Sequence, residues 1–131
     1  MKRTFFSLAL LLAVATLTAQ TKMTAREAAV KIADRILAST TYEFKNTKTG
    51  EIYKSVKKLP LDMDVKVACK YNNWHYTNGV TNMALMELGD KLGDKKYEKY
   101  VLKNMNFVFN EGNLDFFRKQ YDEAFKRDGD R

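Results

Sequence analysis

Apolar residues recur at helical spacing in four stretches of the chain, and one long segment between the first and second breaks that period. The first stretch opens with "TARE", which sets Glu27 three residues after Thr24. At that spacing the two side chains satisfy each other's end amides as a capping box. Behind it, Ala25, Ala28, Ala29, Ile32, Ala33, Ile36 and Leu37 form an apolar stripe, while Lys31, Asp34 and Arg35 face water. This predicts a helix reaching about Ser39.

From Thr41 to Tyr71 no helical period survives. "TKTG" predicts a turn around Gly50, and the alternation in "EIYKSV" suits a short extended piece. Pro60 forbids a helix through its position and biases Leu59 toward extended dihedrals. About thirty residues is long for a plain connection, so the segment is expected either to carry binding groups or to be disordered.

The second helix is expected to open between Tyr76 and Asn78 with Thr77 as its N-cap. Val80, Met83, Ala84, Glu87, Leu88 and Lys91 or Leu92 then fall along adjoining turns, and Gly93 and Asp94 end it. The third, "DKKYEKYVLKNMNFVFNEG", places Tyr97, Tyr100 or Val101, Met105 and Val108 on one side and stops at Gly112. Helices two and three, joined by so few residues, must be antiparallel neighbours. The fourth, "NLDFFRKQYDEAFKRDG", is capped by Asn113 or Asp115, ends near Gly129, and has Leu114, Phe117, Tyr121, Ala124 and Phe125 as its apolar side. An aromatic-rich last helix that still needs a partner reads as the front portion of something longer.

Composition agrees with helices joined by short loops: one Pro and six Gly stand among plentiful Lys, Glu, Met, Leu and Ala. The first twenty residues have Lys2 and Arg3, then an uncharged apolar run, then small residues near Ala19, the order of a secretory signal. Residues 1–19 are therefore expected to be removed, leaving a chain of 112 from the 131, beginning at Gln20. The run is too short and too diluted by Ala and Thr for a membrane anchor, and no Cys follows it to carry a lipid. The expected location is the periplasm or the extracellular space, with no stable insertion in the membrane after cleavage.

A lone Cys69 supplies no internal disulfide, so the exported chain must be held by packing alone. Loss of Lys2 and Arg3 lowers the net charge from +7 to +5, and the remaining charges are mixed with carboxylates. Without a stripe of one sign, nucleic acid is not an expected partner. The small cationic excess favours an acidic ligand such as a uronic acid. One His and one Cys cannot form a structural zinc set, and there is no HExxH, Gly-rich phosphate loop or local Ser, His and Asp arrangement, so neither a metal nor a cofactor is expected.

The chemistry that stands out is "NNWHYTNGV", which holds the only Trp and the only His. Trp74 and Tyr76 offer flat apolar faces for the CH side of a pyranose, and His75 and Asn78 offer directional bonds to hydroxyls or a carboxylate. The same residues equally suit a packed turn, with Trp74 as a core anchor and His75 bonded to a carbonyl. Hydrolysis of a glycosidic bond by paired carboxylates needs two at a set separation. No such pair stands out among Asp62, Asp64, Glu87, Asp90, Asp94, Asp115 and Asp122.

From about Cys69 to Val108 the chain resembles the early helices of the unsaturated glucuronyl and rhamnogalacturonyl hydrolases, glycoside hydrolase families 105 and 88. The resemblance rests on Trp74, Tyr76 and Gly79 entering a helix and on the joint "LGDKKYEKY". It implies an all-α fold of antiparallel helical hairpins, with residues 20–131 as the first part of an (α/α)6 barrel that a longer chain completes. It also implies hydration of the C4 to C5 double bond of an unsaturated uronyl oligosaccharide: an Asp protonates the vinyl ether, water adds, and the hemiketal opens with loss of the glycosidic bond. In that frame Trp74 and Asn78 line the cleft, His75 and Tyr76 lie in cleft or core, and Asp115, after "FNEGNLD", is the candidate catalytic carboxylate. The family continues after that Asp with Ile or Asn and Gly, whereas here "LDFFRKQYDEAFK" runs on as a helix. A fragment of this kind is expected to be inactive alone and to self-associate. The alternative is a small exported helical protein that binds sugars or partners without catalysis.

Overall fold

A computed structural model describes residues 23–128. The expected signal segment and Gly129 lie outside them. The chain divides into two compact units between Lys31 and Ile32, inside the first helix. In the first unit the capping box forms as the sequence predicts: Thr24 N donates to Glu27 Oε2 at 2.8 Å and Glu27 N donates to Thr24 Oγ1 at 3.2 Å.

Among the described residues there are four helices, α1 (Ala25–Ser39), α2 (Tyr76–Leu92), α3 (Lys95–Val108) and α4 (Glu111–Asp128). The segment between α1 and α2 corrects the all-α expectation. It holds β1 (Phe44–Asn46), β2 (Ile52–Tyr53) and β3 (Val65–Val67), which form an antiparallel sheet in the order β2-β1-β3, with a 3-10 turn at Val56–Lys58. Helical hairpins alone, the opening of an (α/α)6 barrel, are therefore not what these residues form. The sheet exists because Phe44 and Asn46 of β1 and Val65 of β3 point inward while Lys45 and Lys66 point to water. An alternation only three residues long is too short to register as a period until its partner strand is known.

The β1–β2 connection is held by Asn46, whose Oδ1 accepts from Lys48 N and Thr49 N at 2.9 and 3.0 Å. Gly50 completes the turn at φ 78°, a conformation that favours glycine. Val65 N donates to Asp62 O, and Gln120 Nε2 of α4 donates to Val65 O at 2.9 Å and also to Asp62 O. A buried glutamine thus closes the outer edge of β3, the groups that would otherwise stay unpaired.

Two apolar clusters hold the second unit. Ala33 of α1, Leu85 of α2 and Tyr97, Tyr100 and Val101 of α3 form one. Phe44, Val65 and Phe116 form the other, joining sheet to α4. The predicted α2 and α4 faces are shifted. On α2 the buried stripe is Asn78, Asn82, Leu85 and Gly89, while Val80 and Met83 are 48% and 74% exposed. On α4 it is Asn113, Phe116 and Gln120, while Tyr121 and Phe125 stay exposed. In both helices the inward positions include amides, because their neighbours present backbone carbonyls that need donors.

Candidate functional site

The segment before α2 is tied into its own turn. His75 N donates to Asn73 O and Asn78 N donates to His75 O, both at 2.9 Å. His75, rather than Thr77, is the N-cap: its Nδ1 accepts from Thr77 N at 3.4 Å and lies 2.8 Å from Thr77 Oγ1.

Trp74 does two things at once. Its Nε1 donates to Val108 O at 3.2 Å, satisfying one of the last carbonyls of α3, and its ring packs against Phe109 and Phe117 at 6.3 and 6.2 Å. Yet 57% of the residue remains exposed. An aromatic plane held at its polar edge and open on a face is a rigid platform.

Trp74 and Asn73 border two cavities. The smaller, about 200 Å³, lies between the start of α2 and the end of α3 and includes Trp74, His75 and Asn78 in its lining, with Asn72, Asn82 and Asn104 deeper in. The structure thus brings together three of the four residues singled out in the cluster. Tyr76 is 84% exposed and lines neither cavity. Asp115 also lies outside both, in an ion pair with Lys119 at 2.7 Å on the exposed side of α4.

The polar cavity is lined by neutral groups apart from the titratable His75. Asn78 is buried and its Nδ2 is committed to Lys70 O, Asn73 O and Asn73 Oδ1. Asn104 Nδ2 donates to Tyr71 O and Asn82 Oδ1, both at 3.1 Å, and to Tyr100 OH at 3.4 Å. Asn72 Nδ2 donates to Thr41 O at 2.6 Å. All these amides spend their hydrogens on the fold, and the oxygens Asn72 Oδ1 and Asn104 Oδ1 are left buried without a partner. Burial keeps the nearby phenol of Tyr100 neutral by pushing its pKa up, and lifts that of Tyr42 to about 12.

The pocket is therefore an aromatic lip beside asparagine side chains whose amide groups are engaged in the fold. Among the described residues no carboxylate lines it. Among the described residues no cluster of three or more His, Cys, Asp or Glu could hold a metal ion. The amides of Asn82 and Asn104 carry no motif; the one sequence signal is that Asn78 and Asn82 stand four apart on one helix face.

The second cavity, about 660 Å³, is an apolar groove between β3 and α4, bordered by Trp74, Phe117 and Tyr121 with Lys66, Arg118 and Asp122 at its rim. Among the described residues no helix is long and apolar enough to cross a membrane. No family model, no curated protein and no solved structure matches the chain.

Proposed function

We propose that this chain is the sugar-binding portion of an exported hydrolase that hydrates the C4 to C5 double bond of unsaturated uronyl oligosaccharides, with the chemical groups supplied by a longer protein. The observation that carries the reading is Trp74 set as a fixed, half-open aromatic face over a pocket of asparagine amides. A pyranose stacks its CH face on such a ring and donates its hydroxyls to amide oxygens. The resemblance of the Trp74 to Tyr100 region to the unsaturated uronyl hydrolases supports the substrate class, and the apolar run of residues 5–14 supports export to the periplasm or extracellular space.

The absence of any carboxylate from the pocket lining favours a second reading, in which the chain binds acidic oligosaccharides without catalysis. Trp74 is the only Trp, so its fluorescence reports the pocket directly. Titration with a lyase-generated unsaturated uronyl disaccharide is expected to change that emission with Kd on the order of 1 mM. No response, in fluorescence or in the asparagine side-chain amide resonances, contradicts both readings. Incubating the product of the whole reading frame with the disaccharide separates them: the ultraviolet absorbance of the enoate falls for a hydrolase and persists for a binding protein.

A further inference from the structure

The groove between β3 and α4 has a different character from the polar pocket. Leu114, Phe117 and Tyr121 follow one another on α4 at intervals of three and four residues, the spacing with which one helix receives another. Tyr121 is 70% exposed, and Phe125, one turn on, is 55% exposed. A contiguous aromatic stripe on a surface helix is the mark of an interaction surface.

The rim tells what covers it. Arg118 and Asp122 stand one helical turn apart beside this stripe, and neither forms a close ion pair with the other or with any described residue, Asp122 lying only within longer electrostatic reach of Lys126. One turn of separation between opposite charges is self-complementary under a two-fold axis. With two copies of α4 antiparallel and the axis crossing the exposed face midway between Arg118 and Asp122, Arg118 of each copy faces Asp122 of the other, and Phe117 and Tyr121 interleave between them.

We propose that the groove is a homodimer interface in which α4 packs antiparallel on α4 of a second copy, with its register set by two reciprocal pairs of Arg118 with Asp122. This goes beyond the sugar-binding reading and does not depend on it. The interface covers the apolar groove along α4, whereas the asparagine pocket lies at the start of α2 and the end of α3, the two cavities sharing Asn73 and Trp74.

Sedimentation velocity of the full chain over a concentration series tests it. A reversible monomer and dimer equilibrium is expected, weakened by salt because the pairs sit on the rim. Arg118→Glu and Asp122→Arg, each alone, place like charges across the axis and are expected to raise the dimer Kd about tenfold or more. Mixing the two variants in equal amounts restores association, since every cross pair is then of opposite sign; the double reversal R118E and D122R restores it within a single chain. A chain that stays monomeric at every concentration, a dimer indifferent to both salt and charge reversal, or single variants that the mixture does not rescue would each overturn the proposal. If one single variant fails to fold, the double reversal and the salt series on the unaltered chain still decide it.

Discussion

Gly89 of α2 and Tyr97 of α3 approach so closely that a methyl group on Gly89 would lie 3.2 Å from Tyr97 Cβ and 3.2 Å from Asp94 O. One of those neighbours is backbone, which cannot swing aside. The hairpin is thus closed by a missing side chain, and Tyr97, fully buried, sits where that side chain would be.

Gly89→Ala is therefore expected to destabilise the fold. Alanine favours a helix over glycine by about 0.5–1 kcal/mol, but overpacking costs about 1–3 kcal/mol, so the net loss is about 1 kcal/mol or more. Gly79→Ala is the control, since nothing lies within 4 Å of its added methyl. It should gain about 0.5–1 kcal/mol. Urea denaturation of both variants checks the pair, and equal effects would contradict the close approach.

Gln120 is the buried donor that closes the edge of β3. Replacing it with Leu strands Val65 O, while Asp62 O keeps its bond from Val65 N, and should cost about 1–3 kcal/mol. Gln120→Glu is expected to cost more at neutral pH, because an ionised carboxylate then faces two carbonyl oxygens. Burial and those oxygens raise the folded pKa of the new carboxyl above its unfolded value, so stability should recover as pH falls. Denaturation midpoints at pH 4 and pH 7 check the sign.

Asn104 ties α3 to the Asn72 turn and to α2. Asn104→Leu removes the donor to Tyr71 O and Asn82 Oδ1 and should destabilise by about 1–3 kcal/mol. It also replaces a polar side chain that lines the pocket with an apolar one, so any disaccharide binding there should weaken. Calorimetric melting together with the Trp74 fluorescence titration reads both effects.

Asp34 accepts from Lys96 Nζ and Tyr97 OH, each at 2.9 Å. Lys96 first and Tyr97 second hold its carboxyl below the ordinary value of 3.8, and Asp34 is the main cause that holds Lys96 above 10.5. Stability from the depressed Asp34 is full above 3.8 and lost as pH falls through its folded value; stability from the raised Lys96 is full below 10.5 and lost as pH rises through its folded value. Asp34→Asn should flatten both flanks of the stability profile and change neutral-pH stability little, because the pair is half exposed. Chemical denaturation across pH checks this, and unaltered flanks would contradict it.

Local chemistry was legible in the chain. The Thr24 and Glu27 capping box, the turn at Gly50, the extended Leu59 before Pro60 and the α2 to α3 joint at Gly93 and Asp94 all depend on residues within a few positions of one another, and the structure forms each of them. The three-stranded sheet was not legible, because β1 and β3 are brief and their pairing, Phe44 with Val67 and Asn46 with Val65, spans about twenty residues of intervening chain.

Helical periodicity on its own placed only part of the inward faces of α2 and α4: Leu88, Leu92 and Phe117 pack against the two clusters as expected. Apolar positions such as Met83 and Tyr121 satisfy the period yet lie outside, while Asn78, Asn82 and Gln120 lie inside. Sequence by itself determined which stretches are helical, how α1 begins and how α2 meets α3, since those caps are settled by near neighbours, whereas α2 is capped by His75 rather than Thr77, α3 ends at Val108 before Gly112, and α4 opens at Glu111 rather than at Asn113 or Asp115. Tertiary structure decided which face of each helix is buried, and with it the asparagine pocket, because buried amides such as Asn104 and Gln120 turn inward to satisfy carbonyls that distant segments present at Tyr71 and Val65.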